Sequence, residues 1–275
     1  MTRREMASFC AGIAATGARF GLAAELKQQD SLRLGVASYS FREFQRKLAI
    51  SMTKQLGVRY ISVKEYHLPY TVTADEAAKA KSEFKKAGLE IMSGGNISLQ
   101  DEDPKALRHL FEYARMCGMP MMVCAPTHKT LDTVEKLVKE FDIKTALHNH
   151  GPEDKHFPTP QSVLEAVKGL DPCMGLCMDV GHSMRTGVDV VQSVEAAGSR
   201  LLDMHIKDLK SSTEKDSQCA VGEGVMPVVA IFKQLKKMKY QGCVNLEYEI
   251  NAENPLPGMQ RSIGYLKGVQ AGLAS

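Results

Sequence analysis

Histidine, aspartate and glutamate gather at a few points in the second half of this 275-residue chain, each time near the close of an apolar run. "IKTALHNH" ends in His148, Asn149 and His150, and "MGLCMDVG" carries Asp179, with His182 three residues later. "RLLDMHIKD" carries His205 and Lys207, and "GCVNLEYE" carries Glu247 and Glu249. Imidazole with carboxylate is a donor set for Mn²⁺, Zn²⁺, Co²⁺ or Fe²⁺ rather than Ca²⁺, and Mg²⁺ is also compatible. The same groups act as acids and bases near neutral pH. Singly, each has an ordinary explanation: a strand-end histidine held by hydrogen bonds, or an aspartate capping the helix that follows. Their recurrence on successive segments calls for elements that bring them together.

Those elements can be read from hydrophobic periodicity. After residue 32 short apolar runs alternate with amphipathic stretches, the pattern of βα units around a parallel sheet. Strand candidates are 32–38, 60–66, 89–95, 119–125, 143–150, 174–181, 200–208 and 242–249. Helix candidates, most with start signals, are 43–56, 73–87, 103–117, 130–140, 159–167, 189–197, 227–238 and 257–270. Eight such units over roughly 240 residues have the size and order of a (β/α)8 barrel, α/β with eight parallel strands. An open doubly wound sheet would carry a glycine-rich phosphate turn after its first strand, and "GVASYSFREF" has none.

In a (β/α)8 barrel, catalytic groups sit at the C-terminal ends of strands. The polar residues above fall on strands five, six, seven and eight. Neighbouring strands lie about 4.8 Å apart, so inward side chains from their ends can converge on one ion. Residues two apart share a face, which pairs His148 with His150 and Glu247 with Glu249. The deeper member of each pair is expected to ligate, leaving His150, Glu249 and Lys207 towards the mouth. Asn149 should face away and make a loop hydrogen bond. On strand two, "VKEYHLP" adds Lys64 and His67 as candidate substrate contacts. "VGEG" (221–224) follows strand seven, where many barrels bind phosphate. Glu223 would repel a phosphate, which favours a neutral sugar or glycoside.

"LCMDVGH", "RLLDMHIKD", "VGEGVMP" and "YQGCVNLEYE", in that order, resemble the xylose-isomerase-like TIM-barrel superfamily of sugar isomerases and epimerases. The resemblance covers the chain after residue 32. It implies one divalent metal held at the positions of His148, Asp179, His205 and Glu247, with His182 as a substrate-contacting histidine. The superfamily epimerases carry glutamate where this chain has His148, and that glutamate and the strand-eight glutamate exchange the proton between two faces. Imidazole can ligate and can act as a base, but it changes both the site charge and the acid/base pair.

The expected chemistry is proton abstraction α to a carbonyl on a keto-sugar, through an enediolate, with Glu247, His148 or His150 as base. Isomerisation or epimerisation is one outcome. Elimination is the other, as in relatives that cleave 3-keto-glycosides or dehydrate keto-inositols. An abasic-site endonuclease would need more zinc ligands and a basic groove. A non-catalytic sugar-binding barrel would use the histidines only as hydrogen-bonding groups.

Composition fits a small-molecule enzyme. Net charge is +3, 44% of residues are hydrophobic and 24% charged. The charges are interspersed, without the basic stretch a nucleic-acid-binding protein presents. The first residues differ: Arg3 and Arg4 precede "MASFCAGIAATGARFGLAA", which resembles a twin-arginine export signal over residues 1–24. Its removal takes away three arginines and one glutamate, lowering the charge from +3 to +1. The expected location is then periplasmic, and otherwise cytoplasmic. The other reading of this segment is an amphipathic helix or leader. Nothing else is apolar for long enough to span a membrane. The seven cysteines lack CxxC spacing and read as buried thiols. A homo-oligomer is compatible with the sequence but not required by it.

Overall fold

Eight of the apolar runs form strands: β1 (Arg33–Ala37), β2 (Tyr60–Val63), β3 (Glu90–Leu99), β4 (Met121–Pro126), β5 (Lys144–His148), β6 (Met174–Asp179), β7 (Leu201–Ile206) and β8 (Cys243–Leu246). In this computed structural model, which describes residues 31–274, all eight pair in parallel and close in the order β1-β8-β7-β6-β5-β4-β3-β2. The expected (β/α)8 TIM barrel is therefore the observed fold. The chain divides into Met1–Leu32, almost wholly outside the described residues, and Arg33–Ser275, which holds every element described below. The export-signal expectation for residues 1–24, and Cys10 with it, lies outside the described residues.

Eight of the nine described α-helices start within three residues of the positions the sequence signals give. The nine are α1 (Arg46–Gln55), α2 (Ala74–Lys86), α3 (Pro104–Cys117), α4 (Leu131–Phe141), α5 (Pro160–Ala166), α6 (Val180–Arg185), α7 (Val190–Ala197), α8 (Val228–Lys237) and α9 (Leu256–Ala274). Thr73 and Thr159 close capping boxes on α2 and α5, and Asp103 and Asp189 cap α3 and α7. Each such cap contributes about 1 kcal/mol by satisfying an otherwise orphaned N–H. Every residue of β6 is buried, as expected of a parallel strand packed on both faces. The six described cysteines are free thiols, five of them buried. No helix among the described residues is long and apolar enough to cross a membrane.

Three departures from the sequence reading matter for the site. Strands β5, β7 and β8 stop at His148, Ile206 and Leu246, so His150, Lys207, Glu247 and Glu249 sit on the loops leaving the barrel. Strand β3 does not end at its glycine pair. It runs on to Leu99 with a register shift against β4 between Gly94 and Ile97, because the glycines mark a bulge rather than a turn. Finally, α6 starts directly after β6, where no helix was expected before residue 189.

The barrel interior also contains a buried polar layer. Asp203 accepts hydrogen bonds from Ser93 Oγ (2.9 Å), Asn245 Nδ2 (2.8 Å) and Met204 N (2.9 Å). It lies two residues before His205, and Asn245 two before Glu247, so the network underlies the polar mouth. Burial pushes the Asp203 carboxyl up to about 6.

Candidate metal centre and active site

Register brings the late-strand residues together. Asp179 on β6 pairs with His205 on β7, and His148 on β5 lies beside Cys177 on β6. His148, Asp179, His205 and Glu247 are all buried, and their ligand atoms lie within 4.8 Å of one another. His148 Nε2 is 3.1 Å from His205 Nδ1 and 3.5 Å from Asp179 Oδ2. His205 Nδ1 is 3.2 Å from Glu247 Oε2. Around one ion with bonds of about 2.0–2.2 Å, opposed ligand atoms stand up to about 4.4 Å apart, close to the observed span.

Asp179 uses its two oxygens differently. Oδ1 accepts from His182 N at 2.8 Å and caps α6, so the helix-capping explanation of this aspartate holds for one oxygen. Oδ2 turns into the site, 2.9 Å from Lys207 Nζ. It is held there as an ion pair and receives no hydrogen bond. His182 Nδ1 is likewise buried without a hydrogen-bond partner. Such atoms are rare in native proteins unless a ligand satisfies them. With two imidazole nitrogens and two carboxylate oxygens converging, the residues fit a divalent ion of the Mn²⁺, Fe²⁺, Co²⁺ or Zn²⁺ type.

Electrostatics follow from burial and close pairing. Burial pushes the His148 imidazole down to about 3, so it is neutral with a lone pair available. Burial and then the His182 ring lower His150. Burial works to raise Asp179 and Glu247. Lys207 and His182 beside the first, and His205 and Lys207 beside the second, hold both well below the usual carboxylate range. Burial works against a charged Lys207, yet Asp179, Glu247 and Glu249 hold it well above the usual lysine range.

A cavity of about 280 Å³ opens over these residues, lined by Tyr39, Lys64, Asn96, Ser98, Ala125, His148, His150, His182, Glu247 and Glu249. The rings of His148 and His150 lie 4.3 Å apart, and the His182 ring is 5.9 Å from the first and 5.5 Å from the second. Lys64 Nζ donates to the Asn96 carbonyl at 2.8 Å, and the Asn96 amide nitrogen meets His150 Nε2 at 3.1 Å. His67 stands apart. It is buried, with Nδ1 at Ser38 Oγ (2.9 Å) and Nε2 at the carbonyls of Phe41 and Phe44 (both 3.2 Å), so it braces the β1 and β2 loops and does not line the cavity. A larger hollow of about 640 Å³ lies at the N-terminal ends of the strands, but neither histidine nor acid lines it.

Asn149 does turn away from the cavity, but into a buried position. Its Oδ1 accepts from Asp179 N (3.0 Å), and its Nδ2 donates to Asp179 O (3.3 Å) and Ser183 Oγ (3.1 Å). It thereby fixes the backbone that carries the aspartate. Tyr39, Asn96 and Ser98 escaped the sequence reading. The bulge places Asn96, and its only sequence signal is the Gly94–Gly95 pair before it.

The sequence profile described as the xylose isomerase-like TIM barrel matches residues 50–269. The chain belongs to that family. Similar solved structures include D-psicose 3-epimerase with D-tagatose from Clostridium cellulolyticum H10, at 16% identity and TM-score 0.71 over 87% of this chain and 99% of that one. Another is the IOLI protein with a binding zinc atom, at 17% identity and TM-score 0.73 over 88% and 99%. A third is the probable 3-DHS dehydratase AsbF involved in petrobactin synthesis from Bacillus anthracis, at 14% identity and TM-score 0.71 over 86% and 99%. No curated protein matches the chain in sequence. For this xylose isomerase-like barrel, the solved relatives establish the fold, and the chemistry has to be argued from its own residues.

Proposed function

We propose that the protein is a divalent-metal-dependent isomerase or epimerase of a neutral keto-sugar, acting by removal of a proton α to the carbonyl. The observation that carries this reading is the convergence of His148, Asp179, His205 and Glu247 on one buried point beneath a cavity that also holds His150 and His182. A bound divalent ion supplies Lewis acidity towards a ketose carbonyl. The sugar-acting and zinc-binding relatives are consistent with this.

The remaining roles belong to the chain's own groups. Glu247, held as a carboxylate by His205 and Lys207, is the base that takes the α-proton. His150, lowered by burial and facing the cavity, starts as a neutral imidazole, takes the proton of an adjoining sugar hydroxyl and returns it to the substrate, ending neutral again. His182, Lys64 and Glu249, which line the cavity, contact sugar hydroxyls, whereas Lys207, expected at the mouth, is buried against the carboxylates and does not line it. A cavity of about 280 Å³ suits one sugar ring.

The loop after β7 supports a neutral substrate. The N–H groups of Gly222, Gly224 and Met226 all donate to the Asp208 carboxylate, at 2.9, 3.1 and 2.9 Å. A side chain at Gly224 would collide with Asp208. The backbone donors that could cradle a phosphate are thus already used by an internal carboxylate, and Glu223 pairs with Arg261 outside it.

His148 favours a second reading. With imidazole at this ligand position, Glu247 is the one member of the epimerase glutamate pair that remains, which suffices for enolisation followed by elimination. This gives a 3-keto-glycoside lyase or keto-sugar dehydratase. In either case residues 32–275 are the catalytic domain, and residues 1–24 direct export to the periplasm. Incubation of keto-sugars and 3-keto-glycosides with protein and Mn²⁺ in D₂O, followed by NMR, tests both. The expected result is α-deuterium with an isomer, an epimer or an unsaturated product. Absence of exchange across the panel would refute enolisation.

A further inference from the structure

Lys207 stands inside the candidate metal site. Its ammonium is 2.9 Å from Asp179 Oδ2, 2.8 Å from Glu247 Oε2 and 3.0 Å from Glu249 Oε2, with 3% of the side chain exposed. The first two oxygens belong to residues of the four-member ligand set. Space for the lysine is built into the neighbouring element. A methyl group on Gly181, in the first turn of α6, would fall 2.7 and 2.8 Å from Lys207 Cδ and Cγ, well inside van der Waals contact. The glycine of "DVGH" thus lets the stem pass under the helix and deliver its charge between the carboxylates.

We infer that Lys207 is a resident counter-cation that sets the affinity of the site for its divalent ion, holding Asp179 and Glu247 in place before the ion binds and opposing its binding afterwards. The inference rests on the metal reading above. Two buried carboxylates without a cation repel each other and are costly to keep ionised. Lys207 removes that cost and keeps the donor oxygens converged. An entering ion must share the same two carboxylates with a fixed positive charge, and like charges at such range in a poorly screened interior repel strongly. Glu249 lies outside the ligand set, so it leaves the ammonium one dedicated partner when the other two are drawn towards the ion. A site of this kind is preformed and releases its metal readily.

The test is calorimetric titration of the full-length, EDTA-stripped protein with MnCl₂ alone, together with melting temperatures with and without Mn²⁺. Lys207→Gln is expected to bind Mn²⁺ at least about tenfold more tightly than wild type, because the repulsion is gone. Its metal-free melting temperature should be lower than that of wild type and its rise on Mn²⁺ saturation larger. Lys207→Arg keeps the charge and should bind no more tightly than wild type. If Lys207→Gln folds only with Mn²⁺ present, the dependence of its melting temperature on Mn²⁺ concentration, set against that of Lys207→Arg, reports the same order of affinities. Equal or weaker binding by Lys207→Gln while wild type binds Mn²⁺ overturns the counter-cation role and leaves the metal site standing. Absence of Mn²⁺ binding by wild type and all variants overturns both.

Discussion

His148 Nε2 and His205 Nδ1 face each other at 3.1 Å, with Asp179 Oδ2 3.5 Å from the first and Glu247 Oε2 3.2 Å from the second. Two ring nitrogens this close hold a proton or a cation between them, and on the proposed reading the cation is a divalent metal ion. His148→Ala and His205→Ala should each weaken divalent-metal binding by more than the about 10–100-fold that loss of an outer partner costs. His148→Glu, which restores an oxygen donor, should retain one ion per chain. Elemental analysis after dialysis against a trace metal mixture checks both. Unchanged metal content in the alanine variants would remove these histidines from the ligand set.

Asn149 grips both backbone polar groups of Asp179 and the Ser183 hydroxyl. Asn149→Ala strands the buried Asp179 N–H, while Asp179 O and the Ser183 hydroxyl keep their bond to each other, so stability should fall by about 1–3 kcal/mol in urea unfolding. Mn²⁺ affinity should fall by about tenfold, because the aspartate loses its support. A stable variant with wild-type affinity would mean that β6 alone positions Asp179.

Asp203 ties β7 to β3 and β8 through Ser93 and Asn245 under the site. Asp203→Ala removes three accepted hydrogen bonds in the barrel interior, and a loss of about 3 kcal/mol is expected from the stranded donors. Chemical denaturation measures it. A loss below about 1 kcal/mol, the net value of one ordinary hydrogen bond, would show that the polar layer is dispensable.

Because Asp208 takes the backbone donors of the loop after β7, millimolar inorganic phosphate should not protect the wild-type protein against thermal unfolding. Asp208→Ala should unfold at lower temperature, having lost a charged acceptor of four N–H groups, those of Leu209, Gly222, Gly224 and Met226, each worth about 1.5–3 kcal/mol at most. Phosphate protection of the wild type in a thermal-shift assay would bring sugar phosphates back as substrates.

The leader reading has its own test. Arg3→Lys with Arg4→Lys should block export of the full chain, leaving it in the cytoplasmic fraction, whereas wild type is recovered from the periplasm. Identical fractionation of the two would exclude the twin-arginine route.

The eight-unit barrel could be read from the chain alone because its causes are local. Periodicity, capping residues such as Thr73, Asp103 and Thr159, and turn glycines act over a few residues, and all are visible in sequence. The four ligand candidates were also legible, since any (β/α)8 barrel gathers its strand ends at one mouth. What the tertiary structure decided depends on distances between segments far apart in sequence. Lys64 and His67 are three residues apart, yet one lines the cavity and the other braces loops, because the choice is made by Ser38, Phe41 and Phe44 on another unit. Asn96 enters the site only through the bulge in β3. Lys207 meets Asp179 and Glu247 only because Gly181 leaves it room. Spacing along the chain fixes which face a residue takes, and close packing between elements fixes what it touches there.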